Sequence, residues 1–208
     1  IAEPLRYGDM ADISDIIRHH HQKDLLHMDV SLLAGEIQQL DWIAKAGVHK
    51  RWPDAVEIKL VERVPIVRWG KEGFLDASGT PFTVPDNDKL RGLFKLQGPD
   101  GYEQQVLQYY EDIAPWLAAR HLDVARLTLD PRLVWHVELS GGTDIILGRD
   151  QLNERLKKLV VVNDKVIKPY HPYIDAIDLR YHDGFSVRWK AGVRPVTTEA
   201  KDKTKEKK

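Results

Sequence analysis

Histidines and carboxylates are the residues of this 208-residue chain whose types and spacing first suggest chemistry. His19–His21 and His27 are close enough in sequence to suggest a metal site. No pair of them has the i, i+4 spacing of helical metal ligands, however, and no carboxylate completes a site. His20 fits better at the border of a helix's buried face. We therefore expect neither a metal ion nor another cofactor.

A glycine-rich turn, SGGTDIILG at residues 140–148, lies between two strand-like segments. A phosphate-binding loop would instead lead into a helix. Glu138 and Asp144 flank the turn without the cleft that acid–base catalysis needs. The chain has no cysteine, no G-x-S-x-G motif and no Ser-His-Asp grouping that its spacing supports. We expect a protein that is not an enzyme, with an unrecognised catalytic site as the alternative.

Charge is nearly balanced overall but uneven along the chain. The formal net charge is −1, and residues 191–208 carry six basic and three acidic residues, so this tail is +3 and the remainder −4. The remainder thus lacks the basic excess that nucleic-acid binding needs. The tail is polar, and we expect it to be disordered. No apolar run reaches 18 residues, and because the chain starts at Ile1, an upstream segment such as a membrane anchor is expected to be missing.

Five elements in the first 60 residues would form one compact module. A short strand, EPLRY, precedes two helices that begin at the N-cap candidates Asp12 and Asp29. Strands follow at residues 44–50 and 56–61, joined by a WPDA turn. The alternation in the second strand places residues 56, 58 and 60 on its inner face. This predicts the order β-α-α-β-β.

A different pattern follows Pro65, which cannot donate a ladder hydrogen bond in a central strand. Short strands separated by turns are predicted at IVRWG, FLDASG and TPFTVP, and later at RLTLD, LVWHVEL, IILGR, AIDLRY and FSVRW. In LVWHVEL, Leu133, Trp135, Val137 and Leu139 are expected to face one way. Helices are predicted at residues 102–120 and from Asp150. The fold class is α+β, with domains at residues 1–63 and 64–190 and the tail at 191–208.

Three ordered motifs carry a resemblance to a known family: the W-P-D hairpin, the E-x-x-P-I-x-R-W exit at residues 62–69, and the D-L-R-Y ending at residues 178–181. Together they resemble the FtsQ/DivIB family of bacterial cell-division proteins, in particular the periplasmic region of gammaproteobacterial members. The resemblance covers residues 1–189. It implies a POTRA domain followed by a mainly antiparallel β domain with flanking helices.

The resemblance also implies a function and a location. Family members are non-enzymatic scaffolds of the divisome that bind FtsB and FtsL and link early and late division proteins. They are single-pass inner-membrane proteins with this region in the periplasm, at the division septum. The alternative is a POTRA-containing protein of polypeptide transport or outer-membrane assembly, for which repeated POTRA modules or a barrel would be expected.

By resemblance, FtsB adds a strand to the edge of the C-terminal sheet. The implied FtsB-binding residues are Arg149, Arg180, Tyr181, Gly184, Phe185, Ser186, Val187 and Trp189, and a recruitment face of the POTRA domain is implied at Val48 and Lys50. The residue types agree, because an open edge accepts a strand and Trp, Tyr and Arg are frequent interface anchors. Alternatively, the aromatic residues are core residues of a small sheet, the arginines are solvated, and Val48 and Lys50 belong to an ordinary strand.

Overall fold

The computed structural model describes residues 5–20, 28–53, 55–85 and 88–193. The chain divides into two compact units, Ile1–Ala114 and Pro115–Lys208. The expected disordered tail lies, from residue 194 onward, outside the described residues.

The first unit begins with a helical pair and a hairpin and continues into short strands. Its elements are α1 (Met10–His20), α2 (Val30–Gln38), β1 (Ile43–Arg51), β2 (Ala55–Glu62), β3 (Val67–Trp69), β4 (Gly73–Leu75), β5 (Pro81–Phe82), a 3₁₀ turn (Asp88–Leu90), β6 (Lys95–Gln97) and the start of α3 (Glu103–Ala118).

Helix α1 begins earlier than predicted. Asp12 lies in its first turn and is not the N-cap, since the helix starts at Met10. Asp9 supplies the capping oxygen, which accepts from the N–H of Ala11 at 2.8 Å. The second N-cap prediction is confirmed, because the Asp29 carboxylate accepts from the N–H groups of residues 31 and 32.

The β1–β2 hairpin has the predicted inward face. Ile58 is 7% exposed, and Val56 and Leu60 pack against the same core. This core also contains residues of both helices and continues to Phe82 on β5. The predicted domain boundary near residue 63 lies within this unit and stays a prediction.

The predicted first strand is replaced by a different contact. Residues 3 and 4 lie outside the described residues, and Leu5–Gly8 form no strand. Instead, the Glu62 carboxylate accepts from the backbone N–H groups of Arg6, Tyr7 and Gly8 at 2.7–3.0 Å. One side chain at the end of β2 therefore binds residues 6–8 through their backbone.

A glutamine covers part of the outer edge of β1. The Gln38 amide nitrogen donates to the Ala44 carbonyl at 2.8 Å, and the Gln38 side-chain oxygen accepts from the Ala46 N–H at 2.8 Å. The side chain thereby takes the place of a neighbouring strand where β1 begins.

The second unit contains the end of α3 and a strand-rich remainder. Its further elements are β7 (Val124–Leu129), β8 (Trp135–Leu139), β9 (Asp144–Gly148), α4 (Leu152–Val162), a π turn (Asn163–Ile167), α5 (Lys168–Tyr170), β10 (Ile174–Asp178) and β11 (Ser186–Trp189). The strand order in this unit is β11-β10-β9-β8-β7.

The pairing is antiparallel except between β9 and β10. Helix α4 lies between these two strands in the chain and brings β10 back in the direction of β9, as parallel pairing requires. Leu133 differs from its prediction. It is 38% exposed with φ of 60°, because it belongs to the tight turn before β8 and not to the strand.

Candidate partner-binding edge

Strand β11 is the last strand of its sheet and pairs only with β10 among the described residues. The N–H of Lys190, directly after β11, donates to the Tyr173 carbonyl at 2.9 Å, on the β10 side. The alternation of a strand therefore turns the N–H and C=O groups of Val187 and Trp189 away from β10. These are the groups to which an added strand would bind.

Four of the residues implied by the resemblance lie together before and at the start of β11. Tyr181, Gly184, Phe185 and Ser186, with the two residues between them, line a hollow of about 450 Å³. Tyr181 is 57% exposed and Phe185 is 39% exposed. Exposed aromatic rings beside an open strand edge are typical of a docking surface and not of a core.

Trp189 lies at the other end of β11 and contacts an aromatic residue that the sequence reasoning missed. Its ring meets that of Tyr170 edge to face, with 5.8 Å between centroids and 85° between planes. Tyr170 and Tyr173 are about half exposed. The only sequence signal for them is the spacing of two tyrosines in KPYHPY, directly before β10.

Arg180, two positions after the end of β10, already has an acidic partner in the last residue of that strand. Its Nε lies 2.9 Å and 3.1 Å from the two carboxylate oxygens of Asp178, and its Nη2 lies 2.6 Å from one of them. The Arg180 guanidinium lowers the pKa of Asp178. A carboxylate of a partner would have to share this guanidinium or displace Asp178 from it.

Arg149 is exposed in the loop between β9 and α4. The preceding residue, Gly148, has φ of 92°, and a Cβ there would clash with the guanidinium of Arg155 and lie 3.0 Å from Cγ of Arg180. A glycine is thus required both by the backbone conformation and by this close approach. The end of β9, directly before Arg149, thus lies close to the Arg180 side chain, and a basic site shared by the two arginines stays a prediction.

Val48 and Lys50 lie on β1 in the first unit. Val48 is 7% exposed and belongs to the core, whereas Lys50 is partly exposed. Val48 therefore cannot contribute a large contact surface of its own. A recruitment face at this strand stays a prediction in which Lys50 would meet the partner and Val48 would hold the strand in place.

The carboxylates considered for catalysis have basic partners. Glu138 pairs with Arg126 at 2.7 Å, and the Asp144 carboxylate accepts from His136 Nδ1 at 3.1 Å when that nitrogen carries a proton. Hydrogen bonding to Asp144, followed by the charges of Asp144 and Asp130, raises the pKa of His136 against its partial burial. Among the described residues, no group of histidines and carboxylates fits a metal ion; His21 and His27 lie outside them.

No helix in the described part of the chain is long and apolar enough to cross a membrane.

Comparison with known families covers nearly all of the described chain. The model of the FtsQ-type POTRA domain matches residues 5–63, and that of the C-terminal region of cell division protein FtsQ/DivIB matches residues 67–180.

Curated relatives agree with these matches. Cell division protein FtsQ of Cellvibrio japonicus is 34% identical over 88% of this chain and 57% of its own length. The FtsQ proteins of Coxiella burnetii and Xanthomonas campestris are 30% and 39% identical, over 87% and 73% of this chain and 74% and 54% of their own lengths. The chain thus spans little more than half of two of these three relatives. On these matches, it belongs to the FtsQ/DivIB family of cell-division proteins.

Proposed function

We propose that this chain is the periplasmic part of a non-enzymatic divisome scaffold that binds FtsB, and with it FtsL, by adding a strand of FtsB to β11. Family membership supports a role in cell division. By the same proposal, the whole protein is anchored in the inner membrane by one upstream span and acts at the division septum, where it links early and late division proteins.

The observation that carries the proposal is the outer edge of β11, which no other strand of the described residues covers. Main-chain hydrogen bonds to the outward groups of Val187 and Trp189 would supply affinity without depending on the partner's sequence. Specificity would come from side chains that flank the edge. Tyr181 and Phe185 offer apolar surface at one end of the strand, and Trp189 offers it at the other.

Charge would add a second source of specificity. Arg149 is exposed in the loop beside Arg180, and the Arg180–Asp178 pair lies at the end of β10. Arginine binds carboxylates through two parallel hydrogen bonds. An acidic residue of the FtsB segment would therefore bind Arg149 most directly, with Arg180 as a shared donor.

The test is calorimetric titration of this chain with a synthetic FtsB segment. Tyr181→Ala and Trp189→Ala should each weaken binding by about tenfold or more, as truncation of a buried interface aromatic does. Trp52→Ala is the matched control, because Trp52 is 68% exposed on the β1–β2 turn of the other unit. It should bind like wild type.

Circular dichroism should be unchanged in all three variants, so that lost binding is not lost folding. If Tyr181→Ala and Trp189→Ala both bind like wild type, the β11 edge is not the FtsB site.

A recruitment role for the first unit is a separate part of the proposal. Lys50→Glu reverses the charge of a partly exposed residue on β1 while Val48 remains in the core. In dividing cells that carry the full-length protein, we expect the variant to reach the septum but to recruit later division proteins less. Normal recruitment with this variant would remove Lys50 from the proposed face.

A further inference from the structure

The segment that joins β10 to β11 folds around one lysine of helix α4. Nζ of Lys158 lies 2.8 Å from the carbonyl oxygen of Tyr181, 3.1 Å from that of His182 and 3.2 Å from that of Gly184. One ammonium group thus binds three carbonyls that lie within four consecutive residues.

This arrangement has a specific chemical requirement. Three carbonyl oxygens that point at one place repel one another unless a donor group lies between them. A lysine ammonium carries three N–H donors that rotate about one bond. The planar guanidinium of arginine and the two donors of a carboxamide do not match three converging acceptors in the same way. Lysine is therefore the side chain that fits this position.

The same segment forms the hollow beside β11. Tyr181 and Gly184, whose carbonyls bind Lys158, also line the hollow of about 450 Å³. Tyr181 is 57% exposed, so packing around its ring does little to fix the segment. The position of the backbone between the two strands consequently depends on the ammonium group beneath it.

We propose that Lys158 is a positioning residue of the β11 edge site. It holds residues 181–184 in the conformation that the partner strand meets, and it does not contact the partner itself. Binding then does not have to order this segment, which lowers the entropic cost of association. This inference rests on the proposed function, because it assigns Lys158 a role in the same site.

Lys158→Met is the informative variant, since methionine keeps an unbranched side chain and removes all three donors. Lys157→Met is the matched control: Lys157 is the neighbouring, exposed residue of α4, and its loss changes the net charge equally. In calorimetric titration with the synthetic FtsB segment, Lys158→Met should weaken binding about tenfold, and Lys157→Met by less than about twofold.

A second measurement needs no partner. The heteronuclear {¹H}–¹⁵N NOE of the His182, Asp183 and Gly184 amides reports motion on the picosecond to nanosecond timescale. These values should fall in Lys158→Met and stay unchanged in Lys157→Met. If Lys158→Met does not fold, Lys158→Gln, which keeps two donors, replaces it, with an intermediate effect expected in both measurements.

The outcomes separate this inference from the function on which it rests. Wild-type affinity in Lys158→Met would overturn the positioning role while Tyr181→Ala still tests the edge site. Reduced affinity with unchanged NOE values, and a reduction that shrinks as salt is added, would mean that Lys158 attracts the partner directly, which also overturns it. Absence of binding by the wild-type chain would overturn both the edge site and the role of Lys158.

Discussion

The hairpins β1–β2 and β10–β11 each have an outer edge, and the two edges differ in what covers their outward backbone groups. Where β1 begins, the Gln38 carboxamide binds the outward carbonyl of Ala44 and the outward N–H of Ala46. On β11, no strand or side chain among the described residues covers the outward groups of Val187 and Trp189.

An uncovered edge exposes the chain to unwanted pairing, so natural sheets cover, shorten or charge their edges. One glutamine side chain is enough to block two backbone groups of β1. Strand β11 is protected in another way, because it has only four residues and carries an exposed ion pair between Arg188 and Asp175. A short, charged strand can thus leave its outer edge open to a partner strand, while its length and charge limit unwanted pairing with other chains.

The largest expected effect is on the free energy of unfolding, because the two hairpins differ in how deeply their side chains are buried. Ile58 on β2 is 7% exposed, whereas Val187 on β11 is only partly buried. Ile58→Asp should lower the free energy of unfolding by about 4 kcal/mol or more, because it buries a charge without a partner. Val187→Asp should lower the free energy of unfolding by much less. Urea unfolding followed by circular dichroism measures both, and similar losses for the two variants would contradict the comparison.

The next effect tests whether the β11 edge acts through its main chain. Val187→Pro removes an N–H that points away from β10, and proline is tolerated on the open side of an edge strand. We expect FtsB-segment binding to weaken by at least about tenfold with little change in thermal stability. Arg188→Pro removes an N–H on the β10 side and should lower stability as well. Full binding by Val187→Pro would show that no strand is added at this edge.

A smaller effect is expected from uncovering β1. Gln38→Ala leaves the outward groups of Ala44 and Ala46 to water and should cost about 1 kcal/mol of stability. It should also increase self-association at high concentration, measured by sedimentation velocity. Gln39→Ala, one residue further and also exposed, is the control. Equal behaviour of the two variants would mean that the amide of Gln38 does not protect this edge.

The smallest effect is a pH dependence in the sheet that ends at β11. Nδ1 of His136 lies 3.1 Å from Asp144, and Nε2 lies 3.7 Å from Asp130. The pKa of His136 is raised above its ordinary value of 6.5, chiefly by the hydrogen bond to Asp144. The protonated ring therefore stabilises the fold fully below pH 6.5, and this contribution is lost as the pH rises through the raised pKa.

Urea titrations at pH values on both sides of that range measure the effect. Wild type should lose stability relative to His136→Gln as the pH rises, because glutamine does not titrate. Parallel curves for the two proteins would show that the interaction with the two carboxylates does not contribute to stability.

Local patterns in the sequence predicted much of the fold. The alternation of residues 56, 58 and 60 identified the inner face of β2, and Asp29 was correctly predicted as an N-cap. Both depend on neighbours within one element. Leu133 shows the limit of such patterns, since its spacing fits β8 but the turn before the strand gives it a positive φ.

The residues of the proposed site were predicted from the resemblance, but their contacts were not. The aromatic residues and arginines near β11 were identified through resemblance to the family, and the structure places Tyr181, Gly184, Phe185 and Ser186 around one hollow. The pairing of Arg180 with Asp178 was not foreseen, although only one residue lies between them. Residue types alone do not show which of several carboxylates an arginine binds.

Periodicity, turn residues and motif order in the sequence determined the element types, the inner faces and the family. Only the tertiary structure decided that β11 has no second neighbour within the described part of the chain, that Gln38 covers β1 and that Lys158 binds carbonyls 23 to 26 residues away. The physical reason is the distance along the chain over which each effect acts. Backbone propensity and alternation act within a few residues, whereas an edge, its cover and a shared ammonium group exist only after distant segments have packed together.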